Sequence, residues 1–454
     1  MSRKFKTANY DETLNLSITL REALPPDHLA RFVVDVISQW DLRPIYARDA
    51  SRGGEAFAPE ILLGLLFYGD ATGVFSSRKI AHATYESLPF RFLAGNLHPD
   101  HDTIAHVRKA LLSEMQALFV HILLLAQTAG VLKLGNLSLD GTTIQADASK
   151  SHAVSYKRLM AREAQLHQEV QALLTLGEHA DRGERPLPPG LNVPDEVALR
   201  EARLANLAHA KAVLETRAQE RYQAEKAAYE TKLREREEQA QRRKRRPRGR
   251  SPKSPQPGPR DKDQYHFTDP DARIMKNSAN DGFDQHDNVQ VAVAQDTLRL
   301  VASTLSNHPT DHHEAAPTLD AIASEVGTPE AVAMDNGYFS AATLQACAQR
   351  GIEPYIATGR ESYHKTWHTC FAEPPEPPPA AASPKVKMAY KLHTEIGHAI
   401  YRLRKCTVEP VIGLIKEVLG CRQFSLRGLA TAAGEWSLVC LAFNIKRLHI
   451  LLLA

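Results

Sequence analysis

The alternation of Leu137, Ser138, Leu139 and Asp140, a strand with one apolar face, is taken up again only at Val289, Val291 and Val293. A sheet with those two strands must be built around whatever lies between them. That interruption reads as helix: residues 156–176 and 195–241 are rich in Ala, Glu, Leu, Gln, Arg and Lys, with a Gly- and Pro-containing break at 177–194. The pattern predicts a helical hairpin or coiled-coil insertion over 153–241, splitting an α/β domain made of residues 135–152 and 265–454. Further strands are expected at 298–305, 331–335 and 354–357, with a helix at 314–324, the mixture that suggests an α/β sheet.

Residues 1–134 read as all-helical. After Pro25, Pro26 and Asp27, apolar residues recur at Leu29, Phe32, Val33, Val36, Ile37 and Trp40, one stripe of a helix that ends near Pro44. A second helix runs from Pro59 through Ile61, Leu62, Leu65 and Leu66. Two short helical segments, 76–85 and 100–112, carry Arg78, Lys79, His106, Arg108 and Lys109 and are spaced as a helix-turn-helix. The same residues fit a plain helical bundle with solvated charges, so both readings stand at this point.

The charge is unevenly placed. Lys and Arg number 56 against 53 Asp and Glu, but residues 242–260 hold nine basic side chains and no acidic one, including Arg242, Arg243, Lys244, Arg245 and Arg246. Any contact with nucleic acid is thereby narrowed to particular segments. Residues 242–264 are expected to be a disordered basic arm, since they cannot bury apolar surface. Residues 373–384, rich in proline, are expected to be an extended linker inside the α/β domain. Five cysteines are too few for a disulfide scaffold of this length, and with no C-x-x-C pair among them neither a zinc ribbon nor a thioredoxin-like motif is supported. The greasiest stretches, 118–132 and 436–453, are broken by His121 and Gln127 and by Asn444, Lys446 and Arg447, and the first twenty residues lack an apolar signal core. A soluble cytoplasmic protein without membrane contact is the expectation.

Three acids stand out by position. Asp140 and Asp335 end predicted strands and are followed at once or soon after by Gly141 and Gly337, while Glu409 lies in YRLRKCTVEPVIGLIK. A sheet delivers strand-end side chains to a common edge. At about 100° per residue, Tyr401, Lys405 and Lys416 fall within roughly 80° of Glu409 on a continuous helix, although Pro410 interrupts that regularity. An amphipathic helix with its charges in water accounts for the same pattern. His308, His312 and His313 suggest a metal, but Pro309 and the lack of partner ligands favour a solvated loop. Asp147 is read as a surface charge, and Asp269, Asp271 and Arg273 as a turn leading to the second strand.

At these residues the chain resembles a family. DGTTIQADASK, NVQVAVAQD, DNGYF, YIATGRE, VEPVIGLIK and RGLATAAGEWSLVCLAFNIKRL, in this order, are similar to the bacterial insertion-sequence transposases of the DDE class with a Tyr-Arg-Glu-Lys signature helix. FAPEILLGLLFYG, SSRKIAHATYESLPFRFLAG and PDHDTIAHVRK resemble the N-terminal helical domain of that family.

The resemblance implies a ribonuclease-H-like catalytic domain in which Asp140, Asp335 and Glu409 are the catalytic, metal-binding acids. The metal would be Mg²⁺ or Mn²⁺, two ions, a choice that suits oxygen donors and in-line phosphoryl chemistry. Tyr401 and Lys416 match the signature's tyrosine and lysine; the position four before Glu409 is Lys405, with Arg402 or Arg404 as substitutes for the missing guanidinium. Expected DNA contacts are Tyr401, Arg402, Lys405, Lys416, Arg78, Lys79, Arg108, Lys109 and the arm from Arg242 to Arg246. The expected partners are double-stranded DNA, as terminal inverted repeats and target, and a second copy of the chain. Two rivals share the features: a catalytically silent DNA-binding regulator with the same fold, and a stand-alone metal-dependent nuclease.

Overall fold

In a computed structural model of the chain, the described residues are 5–12, 18–47, 56–243, 250–276, 282–359 and 376–453. They form two compact units, Met1–Asp147 with Ala272–Ala454, and Ala148–Asp271.

The first unit opens with helices. The two-residue strands β1 (Phe5–Lys6) and β2 (Ala56–Phe57) pair on either side of α1 (Leu29–Ser38) and α2 (Arg43–Tyr46). There follow α3 (Pro59–Thr72), α4 (Ser77–Glu86), α5 (Leu88–Leu93), α6 (His101–Ala110) and α7 (Met115–Thr128). Local signals set these boundaries. Pro59 stands in the first turn of α3, where its missing N–H costs nothing, and the Asp100 carboxylate accepts the Thr103 N–H at 2.8 Å to start α6. Helix α3 is buried almost all round, so it is the hub of this bundle.

The chain then enters β3 (Asn136–Gln145) and passes to the second unit, which holds β4 (Ala153–Ser155), α8 (Tyr156–Asp181), α9 (Val193–Arg243) and β5 (Gln264–His266). Glu169 pairs with Arg200 and Glu163 with Lys211, at 2.8 and 3.0 Å, so α8 and α9 run in opposite directions. Their apolar contact is small, centred on Leu159, Leu207, Ala210 and Leu214 with Val154 and Tyr265. Residues 250–264 were expected to lie in an unstructured arm. They follow α9 instead: Arg260 pairs with Glu225 at 2.7 Å, and Arg221 donates to Gly258 O at 3.2 Å and to Asp263 at 2.9 Å. Lys244, Arg245 and Arg246 and the side chain of Arg243 lie outside the described residues, as do residues 373–375 of the expected proline linker.

Back in the first unit come β6 (Arg273–Lys276), β7 (Phe283–Ala294), β8 (Leu300–Ser306), α10 (Ala315–Asp320), β9 (Ala331–Met334), α11 (Ala341–Gln349) and β10 (Glu353–Ile356). The last elements are α12 (Pro384–His393), α13 (Glu395–Gly413) and α14 (Leu429–Leu453). The sheet order is β10-β9-β3-β7, with β6 and β8 both paired to β7. Strand β3 is antiparallel to β7 and parallel to β9, and β9 is parallel to β10. This mixed α/β sheet beside a helical region fits a ribonuclease-H-like fold in general. Strand β7 is buried at every residue from Gln285 to Ala294.

Helix α14 is long and apolar enough to cross a membrane by length and composition alone. Its polar residues show what it does in this fold. Asn444 donates to Leu300 O at 2.7 Å and accepts the Leu300 N–H at 3.0 Å, joining helix to strand β8. Arg447 donates to Thr297 O at 2.8 Å, and Lys446 to Ala71 O at 3.0 Å near the end of α3. A Cβ on Gly434 would lie 2.5 Å from Leu112 Cβ, so only glycine permits that approach. The helical region and the sheet share one hydrophobic core along this helix.

Candidate active site

Asp140 and Asp335 are brought together by strand register. Leu139 pairs with Met334, the last residue of β9, on parallel neighbours β3 and β9, so the residue that follows each of them is an aspartate. Side chains alternate between the faces of a sheet, so the two aspartates emerge on the same side. Asp335 also caps a 3₁₀ turn, accepting the Gly337 N–H at 2.7 Å, and Asp140 accepts the Gly141 N–H at 2.9 Å.

Helix α13 lies across that face of β3 and meets alternate residues. Thr407 Oγ1 donates to Ser138 Oγ at 2.7 Å. Two residues on, Arg404 donates to Asp140 Oδ2 at 2.7 Å and reaches Glu409 Oε1 at 3.4 Å. Two further on, Lys416 donates to Thr142 Oγ1 at 3.0 Å and to Thr143 O at 3.0 Å. The helix thus hands Glu409 to the aspartates through an arginine. The side chain of Arg404 is 8% exposed, that of Asp140 19% and that of Glu409 51%. Burial lifts Asp140 from 3.8 to about 6 against the opposing pull of Arg404, with Asp335 and Asp311 adding like charge.

On the opposite face, Gly141 leaves room for a buried polar cluster. A Cβ there would lie 2.3 Å from Gln290 Nε2 and 2.7 Å from Asp311 Oδ1. Gln290 donates to Asp311 at 2.7 Å and to Asn288 at 3.0 Å, and accepts the hydroxyl of Tyr338 from the turn behind Asp335. These bonds tie β7, the Asp335 turn and the Asp311 turn together behind the acids. Asp311 and Gln290 carry no signal in the sequence that separates them from other polar residues.

The donor set suits a divalent cation. Carboxylate oxygens are the ligands that Mg²⁺ and Mn²⁺ prefer, and a guanidinium cation already stands between Asp140 and Glu409. Among the described residues, no three His, Cys, Asp or Glu side chains are yet gathered closely enough to hold an ion. The residues fit a metal in kind, with Arg404 drawing two of them onto itself.

The expected DNA contacts separate into groups. Tyr401, Arg402 and Lys405 line one cleft of about 450 Å³ together with Thr358, His393 and His398. Lys416 does not share it. The helix passes through Pro410 and then widens into a π turn at Leu414–Val418, where Leu419 N bonds Leu414 O at 2.9 Å, and this breaks the 100° rule that had aligned Lys416 with Tyr401. Burial lowers the Lys416 amine in this position, with Arg422 adding to the effect. Arg78, Lys79 and Lys109 are exposed, whereas Arg108 is not. Arg108 is 4% exposed and pairs with the fully buried Asp70 at 3.2 Å, so it belongs to the helical core and the expected DNA contact is corrected. Arg242 is exposed at the end of α9.

Asp147 pairs with Arg427 at 2.7 Å with its side chain 37% exposed, a surface charge. His308 bonds the buried Glu314 at 2.7 Å, and His312 and His313 are exposed in a 3₁₀ turn. The helix expected over 314–324 is present as the shorter α10, Ala315–Asp320, preceded by that turn.

Comparison with known families gives two matches. A family described as "Transposase domain (DUF772)" matches residues 18–110, the helical region. One described as "Transposase DDE domain" matches residues 378–449, which include α13 and Glu409. No curated protein and no solved structure matches the chain.

Proposed function

We propose, for a chain that is an insertion-sequence DNA transposase of the DDE class, that DNA cleavage and strand transfer take place at Asp140, Asp335 and Glu409. The observation that carries this is the register of β3 on β9, with Arg404 linking Asp140 to Glu409 from the helix above. Enzymes of this class depend on a divalent metal; the proposal here is Mg²⁺ or Mn²⁺, two ions, held by these three carboxylates. When bound, such ions polarise the scissile phosphate and lower the pKa of an attacking water or hydroxyl.

The chain's own residues do the rest. The Gly337 and Gly141 N–H groups fix Oδ1 of Asp335 and of Asp140, and Arg404 holds Oδ2 of Asp140. The cleft beside α13 offers Tyr401, Arg402 and Lys405 to a phosphate backbone, and Lys416 steadies β3 near Asp140 through Thr142. In the helical region, Arg78, Lys79 and Lys109 are the surface cations proposed to meet the element's terminal repeats. The second unit is proposed as an insertion into the catalytic fold whose basic stretch after Arg242 tracks phosphates without reading bases. A homodimer bound to the two ends, acting on a target duplex in the bacterial cytoplasm, completes the reading, because two element ends have to be cut and joined together.

The test is cleavage of labelled DNA carrying the sequences that flank the gene. D140N, D335N and E409Q should each abolish cleavage and leave DNA affinity within a few-fold. Wild-type cleavage by any one of them would remove that residue from the site.

A further inference from the structure

Arg404 has an unusual position for an arginine beside three acids expected to hold a metal. It lies on the same helix as Glu409, is buried, and spends its guanidinium on Asp140 at 2.7 Å and on Glu409 at 3.4 Å. The Tyr401 side chain is a further hydrogen-bond partner of the guanidinium, while its Nε is buried without one. Thr407, one turn on, anchors the helix to Ser138, which fixes the distance from which the guanidinium reaches down.

We propose that Arg404 is the internal counter-cation of this site: in the metal-free enzyme its guanidinium occupies the place between Asp140 and Glu409 that a divalent cation takes over on loading. The inference rests on the reading of those two acids as metal ligands. A divalent cation drawn to the same carboxylates would stand a few ångströms from the guanidinium and be repelled by it, so metal binding and the Arg404 contacts compete. Arg404 thereby keeps the acids together and neutralised in the resting chain and weakens cation binding until it is displaced. It is a positioning residue that sets how readily the site loads.

The competition is measurable on the full-length chain without DNA. Mn²⁺ affinity, from the electron paramagnetic resonance signal of the free ion, is compared for wild type, R404Q, R404K and D140N, with melting temperatures in EDTA and in Mn²⁺. Removing the competitor should tighten Mn²⁺ binding in R404Q on the order of tenfold, the usual size of a coupling between two binding events. R404K, which keeps a charge but cannot fork across two carboxylates, should lie between wild type and R404Q. R404Q should melt lower in EDTA, and Mn²⁺ should raise its melting temperature more than it raises that of wild type. A residue with only a packing role would lower both melting temperatures alike.

Unchanged or weaker Mn²⁺ binding in R404Q, with binding lost in D140N, overturns the counter-cation role and leaves the acid site standing. Wild-type Mn²⁺ binding in D140N overturns the acid site itself, and this inference with it.

Discussion

Asp140 is held in a place that suits its chemistry better than its stability, and D140N should reveal the difference. Burial raises its pKa from 3.8 to about 6 even with Arg404 beside it. At about 1.4 kcal/mol per tenfold, keeping that carboxylate ionised in the folded chain costs about 3 kcal/mol at pH 7.5. Asparagine has nearly the same shape and resembles the neutral acid. The metal-free D140N chain should therefore be more stable than wild type by up to about 3 kcal/mol at pH 7.5. A raised folded-state value means that the folded chain holds the proton more tightly. Wild-type stability from this group is therefore greatest below about pH 4 and is lost as pH rises through about 6. The advantage of D140N should accordingly shrink by roughly half at pH 5 and vanish below pH 4. Denaturant titration in EDTA, followed by fluorescence of the core residue Trp436, measures this in the unit that contains the site. A D140N chain less stable than wild type at pH 7.5 would show that the Arg404 ion pair outweighs desolvation and would refute the reasoning.

Three further outcomes follow from the geometry. R108M should lower stability by about 3–5 kcal/mol, because it strands the buried Asp70 carboxylate; a stable R108M that loses DNA binding would return Arg108 to the DNA surface. G141A should cost about 1–3 kcal/mol and slow cleavage, since the new methyl meets Gln290 and Asp311; wild-type melting would show that the polar cluster yields freely. Deleting residues 242–250 should make the slope of log affinity against log salt shallower by roughly 4 to 5, at ~0.9 per phosphate for about five phosphates. An unchanged slope would make that stretch a solvated linker.

Much of the fold was legible because local signals and tertiary packing agree. The stripe from Leu29, the proline at Pro59 and the alternation at Leu137 to Asp140 became α1, α3 and β3. Residues 156–181 and 193–243 form α8 and α9 on local helix-favouring composition, with few of their side chains in a core. Asp140 and Asp335 could be picked out as strand-end acids, but their adjacency depends on the pairing of β3 with β9, which is a long-range property. The errors arose where composition does not fix environment. Arg108 looks like any basic residue on an amphipathic helix until Asp70 is found beneath it. Lys416 fell off the predicted face because a π turn changes the helical period after Pro410. The sequence offers both Arg402 and Arg404 as the substitute guanidinium beside Lys405, and the crossing of α13 over β3 is what singles out Arg404 as the one that reaches the acids.

The central claim is that Asp140, Asp335 and Glu409 hold one divalent metal centre. Anomalous diffraction at the manganese edge, from crystals of the protein with terminal DNA and Mn²⁺, tests it most directly. The account predicts anomalous density enclosed by those three carboxylates, with Arg404 drawn away from Asp140. Manganese bound elsewhere, with the three acids bearing no ion and Arg404 still bridging two of them, would contradict it.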